Sequence, residues 1–449
     1  MGRWIVDSQG RVLLFHGLNE VAKRPPAEPA AFGFRAADAS WMASNGFRLV
    51  RLGVLFSGLM PTPGKVSRRY LAAITSSVDL LARFHIFTLI DFHQDGYGPA
   101  VGSDGFPAWM TLTRGAASVN AHFPQYYVMD PAVQQAFQSF WDNARRPGGV
   151  GLQTYALMGY AAVARQFARD PWVIGYDVLN EPWPGTTWAP CLAPAGCPSL
   201  VRSELTPFYD KVAAVIRRQG SRQIVFEEPF ATFNLGGSAP DLSLPAGQAG
   251  MSFHMYTSTP AAEPGLISKS LAWSRSTGGA LLDSEWSSAT GASGIVRQAG
   301  ELDAALVPWA YWSFAGCSTG CRRGESTSAV IPDLAKAPSG TNLNQTIASS
   351  LTQPYPLATA GVPTADSYDT TTRTLRFAYS TSEVTGGSFA KGTVTVIEAP
   401  TSVYPSGYTV SVSGARVVSK PCSSLLEIEA AAGARVVRVT VDPASNCPQ

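Results

Sequence analysis

An apolar run that ends in an amide, an acid and a proline dominates the middle of the chain. Residues 173–183 have the sequence VIGYDVLNEPW. The continuous apolar part predicts a buried parallel strand, with Asn180 and Glu181 at its carboxyl end. Functional sites of parallel α/β folds form at that end, and a buried charge there is costly unless it is paired or used. The alternative is a glutamate that merely ends a strand and bonds to a neighbouring turn.

Seven other apolar runs share this character and alternate with helical patterns. Strands are expected at 12–19, 48–56, 87–95, 223–229, 250–256, 279–286 and 307–314. Helices are expected near 37–45, 67–81, 131–145, 151–169, 202–219, 262–275 and 293–305. Eight strands alternating with helices predict an α/β fold, a (β/α)8 TIM barrel. An open doubly wound sheet is disfavoured because no G-x-G-x-x-G motif or P-loop follows a strand.

The pattern changes after about residue 355. Helical spacing gives way to short segments that alternate apolar and polar residues, at 375–379, 393–396, 408–412, 426–429 and 437–441. Short alternating strands separated by Gly, Pro and Ser turns predict a C-terminal antiparallel β-sandwich. We therefore predict a catalytic barrel domain over 1–354 and a packing or binding domain over 355–449.

Charge and hydropathy exclude several classes of partner. The 34 basic and 32 acidic residues leave a net charge of +2, which creates no field for nucleic acid. No apolar run reaches the roughly 18 residues that span a bilayer. The five histidines lack a paired ligand spacing, so we predict no metal and no cofactor. We also expect a monomer.

Six cysteines fall in three close pairs beside Gly, Pro and Ser residues. Six cysteines allow 15 connectivities, and we favour Cys191–Cys197, Cys317–Cys321 and Cys422–Cys447 because each closes a short loop. Free buried thiols are the alternative. Disulfides predict a secreted, extracellular protein, whose signal peptide is absent from this sequence because no apolar leader precedes Arg3 and Trp4.

Two glutamates stand out among the polar residues at the strand ends. Glu181 and Glu285 each end an apolar strand and each lie near a tryptophan, Trp183 and Trp286. The fourth and seventh strands face each other across a barrel mouth, so the two acids can flank one substrate. Glycoside hydrolysis requires such a pair, about 5–5.5 Å apart when the anomeric configuration is retained. One acid must be protonated and the other ionised, so their environments must separate their pKa values.

The set of residues at the strand ends resembles the family-5 glycoside hydrolases, which are retaining and cellulase-like. The matching positions are Asn180-Glu181-Pro182, Glu285, Arg51, His93, His254, Tyr256 and Trp312. The resemblance implies that Glu181 is the general acid/base and Glu285 the nucleophile. It also implies that Asn180 binds the sugar 2-hydroxyl group.

The same resemblance implies roles around the two acids. Tyr256 would orient Glu285, and His254 and Arg51 would support the acids. Trp312 would stack under the sugar, and His93 is expected among the substrate-binding residues. Each histidine could instead be a hydrogen-bonded core residue. The adjacent Glu227 and Glu228 are ambiguous, since one could line the mouth while the other pairs with an arginine.

Further motifs resemble the endoglycoceramidases. They are His16-Gly-Leu-Asn19, Lys23-Arg-Pro-Pro26, Asp91-Phe-His-Gln-Asp95-Gly and the pair Glu285-Trp286. This resemblance implies that Lys23 and Asp95 contact the first sugar. It also implies a retaining endo-glycosidase that hydrolyses the β-glycosidic bond between oligosaccharide and ceramide in glycosphingolipids.

The segment 96–130 carries a concentrated apolar load, including Trp109, Phe123 and Met129. Such a wall suits a ceramide tail and transient contact with a membrane or micelle. Alternatively, these residues pack the segment onto the barrel. Two other functions remain open: an endo-β-glucanase acting on soluble polysaccharide, and a non-catalytic glycolipid-binding protein.

Overall fold

Eight parallel strands close into a barrel, as predicted. The computed structural model describes residues 2–236, 239–257, 259–316 and 328–447. The barrel strands are β2 (His16–Glu20), β3 (Leu49–Leu55), β4 (Phe87–His93), β5 (Val173–Asp177), β6 (Ile224–Glu227), β7 (Ala249–Met255), β8 (Ala280–Trp286) and β9 (Trp309–Tyr311). The barrel closes where His16 of β2 pairs in parallel with Trp309 of β9.

The main helices are α1 (Ala36–Ser44), α2 (Arg68–Arg83), α3 (Pro131–Trp141), α4 (Leu152–Phe167), α5 (Thr206–Arg218), α6 (Glu263–Thr277), α7 (Ala292–Ala304) and α8 (Gln345–Leu351). Helix α2 illustrates how the sequence sets their position. Ser67 caps it by accepting a hydrogen bond from the backbone N–H of Tyr70. Its buried face carries Ile74, Val78 and Leu81 at helical spacing. Short helical segments lie at Phe56–Leu59, Tyr126–Met129, Pro198–Leu200 and Val201–Leu205.

The first predicted strand is wrong in one respect, because 12–19 is two strands and not one. Val12–Leu13 (β1) pairs antiparallel with Ala358 and Thr359 in the C-terminal part of the chain. Only His16–Glu20 enters the barrel. Both segments are buried and apolar at their start, so apolar character alone does not reveal that the chain changes sheets between them.

The C-terminal part forms two antiparallel sheets, as predicted. Its strands are β10 (Tyr355–Thr359), β11 (Val362–Asp369), β12 (Thr374–Ser380), β13 (Val394–Glu398), β14 (Tyr408–Ser413), β15 (Ala415–Val417), β16 (Leu425–Ala430) and β17 (Val436–Pro443). One sheet has the order β1-β10-β13-β16-β15 and the other β11-β12-β17-β14. Leu375, Phe377 and Tyr379 alternate inward from β12 and form part of the core. The domain boundary after residue 354 stays a prediction.

Two of the three predicted disulfides form, Cys191–Cys197 and Cys422–Cys447. The pair Cys317–Cys321 lies outside the described residues. Within the described part of the chain, no helix combines the length and the apolar character needed to cross a bilayer.

The segment 96–130 packs onto the barrel at one end and remains exposed at the other. Phe106 stacks on Phe56 with ring centres 5.1 Å apart and is buried, as is Met110. Further along, the side chains of Phe123 and Met129 are 38% and 61% exposed. Packing onto the barrel therefore explains the apolar residues at the start of this segment. It does not explain the exposed apolar residues Phe123 and Met129 near its end.

Candidate active site

The strand ends bring Glu181 and Glu285 to the same mouth of the barrel. Strand β5 ends at Asp177, so Glu181 lies in the loop that follows it, whereas Glu285 is still within β8. Glu181 has a backbone φ of 42°, a left-handed conformation that is costly for a residue other than glycine. A carboxylate oxygen of Glu181 lies within 4.8 Å of a carboxylate oxygen of Glu285. The two acids can therefore approach one reacting centre together.

Glu285 receives donors on both oxygens. The Tyr256 hydroxyl donates to Oε1 over 2.8 Å, and Arg51 Nη1 donates to Oε2 over 3.1 Å. Burial raises the pKa of Glu285, while the charges of His254 and Arg51 oppose that rise. The hydroxyl and the guanidinium both favour the ionised carboxylate, the form a nucleophile needs.

Glu181 is held by a different set of groups. His254 Nδ1 lies 3.0 Å from Oε1, and the Asn234 side-chain amide donates to the same oxygen over 3.2 Å. Burial lowers the pKa of His254, but the carboxylates of Glu228 and Glu285 outweigh burial and hold that pKa well above its ordinary value. Gln94 Nε2 donates to the backbone carbonyl of Glu181 over 3.0 Å. Glu181 is therefore held through both its carboxyl group and its backbone carbonyl.

Arg51 lies fully buried at the base of the site and contacts four carboxylates. They are Asp91 at 3.0 Å, Asp177 at 2.8 Å, Glu228 at 3.1 Å and Glu285 at 3.1 Å. Burial lowers the pKa of the guanidinium, but these carboxylates outweigh it and raise the pKa above its ordinary value. The same guanidinium donates to the Asn180 side-chain oxygen over 2.7 Å. Arg51 therefore supports Asn180 and Glu285 together.

A second set of polar side chains lies at the mouth, around Lys23 and Asp95. Lys23 donates to the Asp95 carboxylate, and its ammonium lies 4.4 Å from the centre of the Trp312 ring. His93 bonds Asp91 through Nδ1 over 2.7 Å and stacks on Trp312 at 5.6 Å. Burial lowers the pKa of His93, but Asp91 raises it to about 10 overall. These side chains surround one end of the cavity with donors, acceptors and a flat ring.

The cavity over these residues measures about 1100 Å³. The charged side chains on its lining include Lys23, Asp95, Glu181 and Glu285, of which the three acids are buried. The apolar lining residues include the buried Val101, Trp183 and Ala231 and the exposed Phe123, Val128, Leu192 and Leu235. The lining thus combines buried carboxylates with exposed apolar side chains, which share the exposed part with the polar residues Asn120, His122 and Gln125.

Among the residues that the structure describes, two groups of side chains have atoms close enough to bind a cation, His93 with Asp95 and Asp104, and Glu181 with His254 and Glu285. In both groups cationic side chains already lie against the carboxylates, Lys23 at Asp95 and Arg51 at Glu285. The prediction that the reaction needs no metal or cofactor stays a prediction.

All ten residues singled out from the sequence lie at this mouth or directly beneath it, and three contributors were missed or left ambiguous. Asn234, Gln94 and Glu228 bond Glu181 through its side chain or its backbone. Asn234 follows no predicted strand end directly, so spacing carried no signal for it. Glu228 could be suspected because it is an acid at the end of an apolar strand. Its neighbour Glu227 has the same feature, so the sequence does not distinguish the two.

Comparison with known proteins supports both parts of the chain. Residues 353–441 match the glycoside hydrolase family 5 C-terminal domain. Endoglycoceramidase I of Rhodococcus hoagii is 28% identical over 478 residues, covering 98% of this chain and 85% of that protein. Endoglycoceramidase of Hydra vulgaris is 26% identical over 452 residues, covering 91% of this chain and 81% of that protein.

Among solved structures, an endo-glycoceramidase II from Rhodococcus sp. in complex with a five-membered iminocyclitol superposes with a TM-score of 0.78. It is 25% identical and the match covers 98% of this chain and 99% of that one. Barrel, site and C-terminal sheets thus point to one class, and the chain is a glycoside hydrolase. More particularly, it is a homologue of the endoglycoceramidases along nearly its whole length.

Proposed function

We propose that this protein is a retaining endo-glycosidase that releases intact oligosaccharide from ceramide in glycosphingolipids. The observation that carries the proposal is the pair of carboxylates within 4.8 Å on a cavity whose lining combines buried carboxylates with exposed apolar side chains. Retaining glycosidases place their acids close together, whereas inverting enzymes leave roughly 6.5–9.5 Å for a water molecule. The names of its relatives agree with this substrate.

In the proposed reaction, Glu285 attacks the anomeric carbon while Glu181 protonates the oxygen that leaves with ceramide. A covalent bond forms between the sugar and Glu285 as the glycosidic bond breaks. Glu181, now ionised, then takes a proton from a water molecule that attacks the same carbon and releases Glu285. Tyr256 and Arg51, which donate to Glu285, keep its oxygens oriented for attack.

The polar end of the cavity would bind the first sugar. Lys23 and Asp95 offer a donor and an acceptor beside each other, and Trp312 offers a flat face for the ring. His93 bonds Asp91 and stacks on Trp312, so it fixes the position of the Trp312 ring. Asn180, fixed by Arg51, keeps a side-chain amide near Glu181 for the 2-hydroxyl group.

The apolar end would bind ceramide. Phe123 and Val128 lie on one side of the cavity lining, and Leu192 and Leu235 are 45% and 52% exposed elsewhere on it. Exposed apolar side chains gathered at one cavity are typical of a binding surface and not of an ordinary monomer surface. Met129, exposed beside this rim, would touch the membrane or micelle from which the lipid is drawn.

We further propose that the protein acts outside the cell as a monomer. The two disulfides support an oxidising compartment, where such bonds persist.

An endo-β-glucanase with the same two acids is the second candidate function. A polysaccharide has no large apolar part, so the four exposed apolar side chains on the cavity lining argue against it. A non-catalytic glycolipid-binding protein is disfavoured because both acids are present with supporting donors.

The test is product analysis on a panel of glucosyl- and galactosyl-linked glycosphingolipids in detergent, beside soluble cellulose. We expect intact oligosaccharide and free ceramide, and no products with Glu285→Gln. Cleavage of cellulose alone would replace the proposal with the glucanase function.

Membrane contact is tested separately with Met129→Gln, which should slow cleavage of lipid in vesicles but not of a soluble aryl glycoside. Equal rates on vesicles would contradict that contact.

A further inference from the structure

Glu228 lies behind the two proposed catalytic acids and outside the cavity lining. It directly follows strand β6 and its side chain is fully buried. Three groups meet its two carboxylate oxygens. Arg51 Nη2 lies 3.1 Å and His254 Nε2 3.0 Å from Oε1, and the backbone N–H of Glu181 donates to Oε2 over 2.8 Å.

Each of these three groups leads to a proposed catalytic acid. The N–H of Glu181 belongs to the residue with the left-handed backbone, so Glu228 stabilises the conformation that presents Glu181 to the cavity. His254 bonds the side chain of Glu181 through its other nitrogen. Arg51 bonds Glu285. The Glu228 carboxylate therefore contacts Glu181 directly at its backbone N–H and indirectly through His254. It contacts Glu285 indirectly through Arg51.

The charges around Glu228 are mixed. The cations Arg51 and His254 face it, and the carboxylate of Asp177 lies near on the other side of Arg51. Burial raises the pKa of Glu228, while His254 and Arg51, which face its carboxylate, oppose that rise and favour the ionised form. Tyr209 donates to its backbone carbonyl over 2.7 Å and keeps the residue in place.

We infer that Glu228 is a positioning residue that sets the geometry of Glu181 through its backbone and through His254. The inference rests on the proposed roles of Glu181 and Glu285. A glutamine at position 228 has one acceptor oxygen where Arg51, His254 and the Glu181 N–H now face two, so one of these groups must face an amide NH₂ group. Glu181 would then no longer be fixed in position by its backbone N–H bond to residue 228 and by His254. Proton donation to the leaving group would therefore slow more than nucleophilic attack.

Glu227 offers a matched control. It precedes Glu228 directly and is also buried, and neither of its carboxyl oxygens has a hydrogen-bond partner among the described residues. Burial raises the pKa of Glu227 well above its ordinary value, and a glutamine of nearly the same size breaks no hydrogen bond of this side chain among the described residues. Glu227→Gln should keep wild-type kinetics.

The experiment compares Glu228→Gln, Glu228→Asp and Glu227→Gln on two aryl β-glycosides of the sugar that the wild type releases. Phenyl is a poor leaving group that needs a proton, and 2,4-dinitrophenyl is a good one that does not. General acid catalysis contributes about 10²–10⁴-fold. We expect Glu228→Gln to lose about 10²-fold in kcat/KM on the phenyl glycoside and less than about 10-fold in kcat/KM on the dinitrophenyl glycoside, because kcat/KM reports the first step, in which Glu181 acts as the acid.

Equal losses on both substrates, or kinetics like those of Glu227→Gln, would overturn the inference. If Glu228→Gln does not fold, Glu228→Asp decides, because it keeps the charge and withdraws the carboxylate by one methylene. If both fail to fold while Glu227→Gln folds, Glu228 is a stability residue and the inference fails. A wild type that releases no oligosaccharide from any glycosphingolipid would instead remove the proposed function.

Discussion

The two ends of the barrel both bury charge, but they do so in different ways. At the mouth, Arg51 contacts four carboxylates, and one of them, Glu285, lies on the cavity lining. At the base, Arg48 pairs with Glu398 over 2.5 Å and joins the barrel to the C-terminal sheets. The charge at the mouth is thus open to a ligand, and the charge at the base is used inside the protein.

The histidines show the same contrast. His16 at the base lies between the rings of Trp309 and Tyr355, with centres 4.2 and 3.6 Å away, and bonds Asp303 over 3.0 Å. Asp303 also accepts from Trp309. His254 at the mouth instead contacts Glu181, which lines the cavity. Both histidines are thus buried beside an acid, and what separates them is that the acid beside His254 lines the cavity.

The largest expected effect is that of Glu285→Gln. Removing the proposed nucleophile should lower kcat by at least about 10⁴-fold, since the glycosyl bond forms on this carboxylate in the proposed reaction. The fold should survive because glutamine keeps the shape. Steady-state kinetics with a thermal melt check both points, and wild-type-like activity would remove Glu285 from the mechanism.

His254→Asn should lower kcat by about 10²-fold, because Glu181 loses the imidazole that holds its carboxyl group. Kinetics on a phenyl glycoside measure this loss. If activity were unchanged, His254 would be a core residue like His16, and the contrast between the two ends would fail.

His16→Asn should do the opposite. The variant loses the bond to Asp303 and the stacking on two rings, so unfolding should become easier by about 1–3 kcal/mol. Denaturant unfolding measures the stability, and kcat should stay within about 2-fold. A large loss of kcat in a well-folded variant would show that the base acts on the chemistry.

The smallest effect is on the pH profile. Burial raises the pKa of Glu285 above its ordinary 4.5, and a nucleophile must be ionised. Activity should therefore fall as the pH drops through that raised pKa, and the acidic limb of kcat/KM should lie above pH 4.5. Tyr256→Phe removes a donor to the ionised form and should move the limb up by roughly half a unit. A limb at or below 4.5 would contradict this.

Much of the barrel and of the site could be predicted from local patterns. Apolar runs with polar ends identified the strands, and the strand ends identified Glu181 and Glu285. The partners of Arg51 could not be predicted, because Asp91 and Asp177 lie inside strands and meet only when the barrel closes. The pairing of Val12–Leu13 with β10 depends on residues more than three hundred positions away, so no local pattern reveals it.

The most direct test is to identify the residue that carries the covalent intermediate. A 2-deoxy-2-fluoro glycoside with a good leaving group should inactivate the enzyme, and peptide mass spectrometry should find one sugar on Glu285. That result would support attack by Glu285 while Glu181, within 4.8 Å of it, assists. Turnover with inverted configuration at the anomeric carbon, or a label on another residue, would contradict the account.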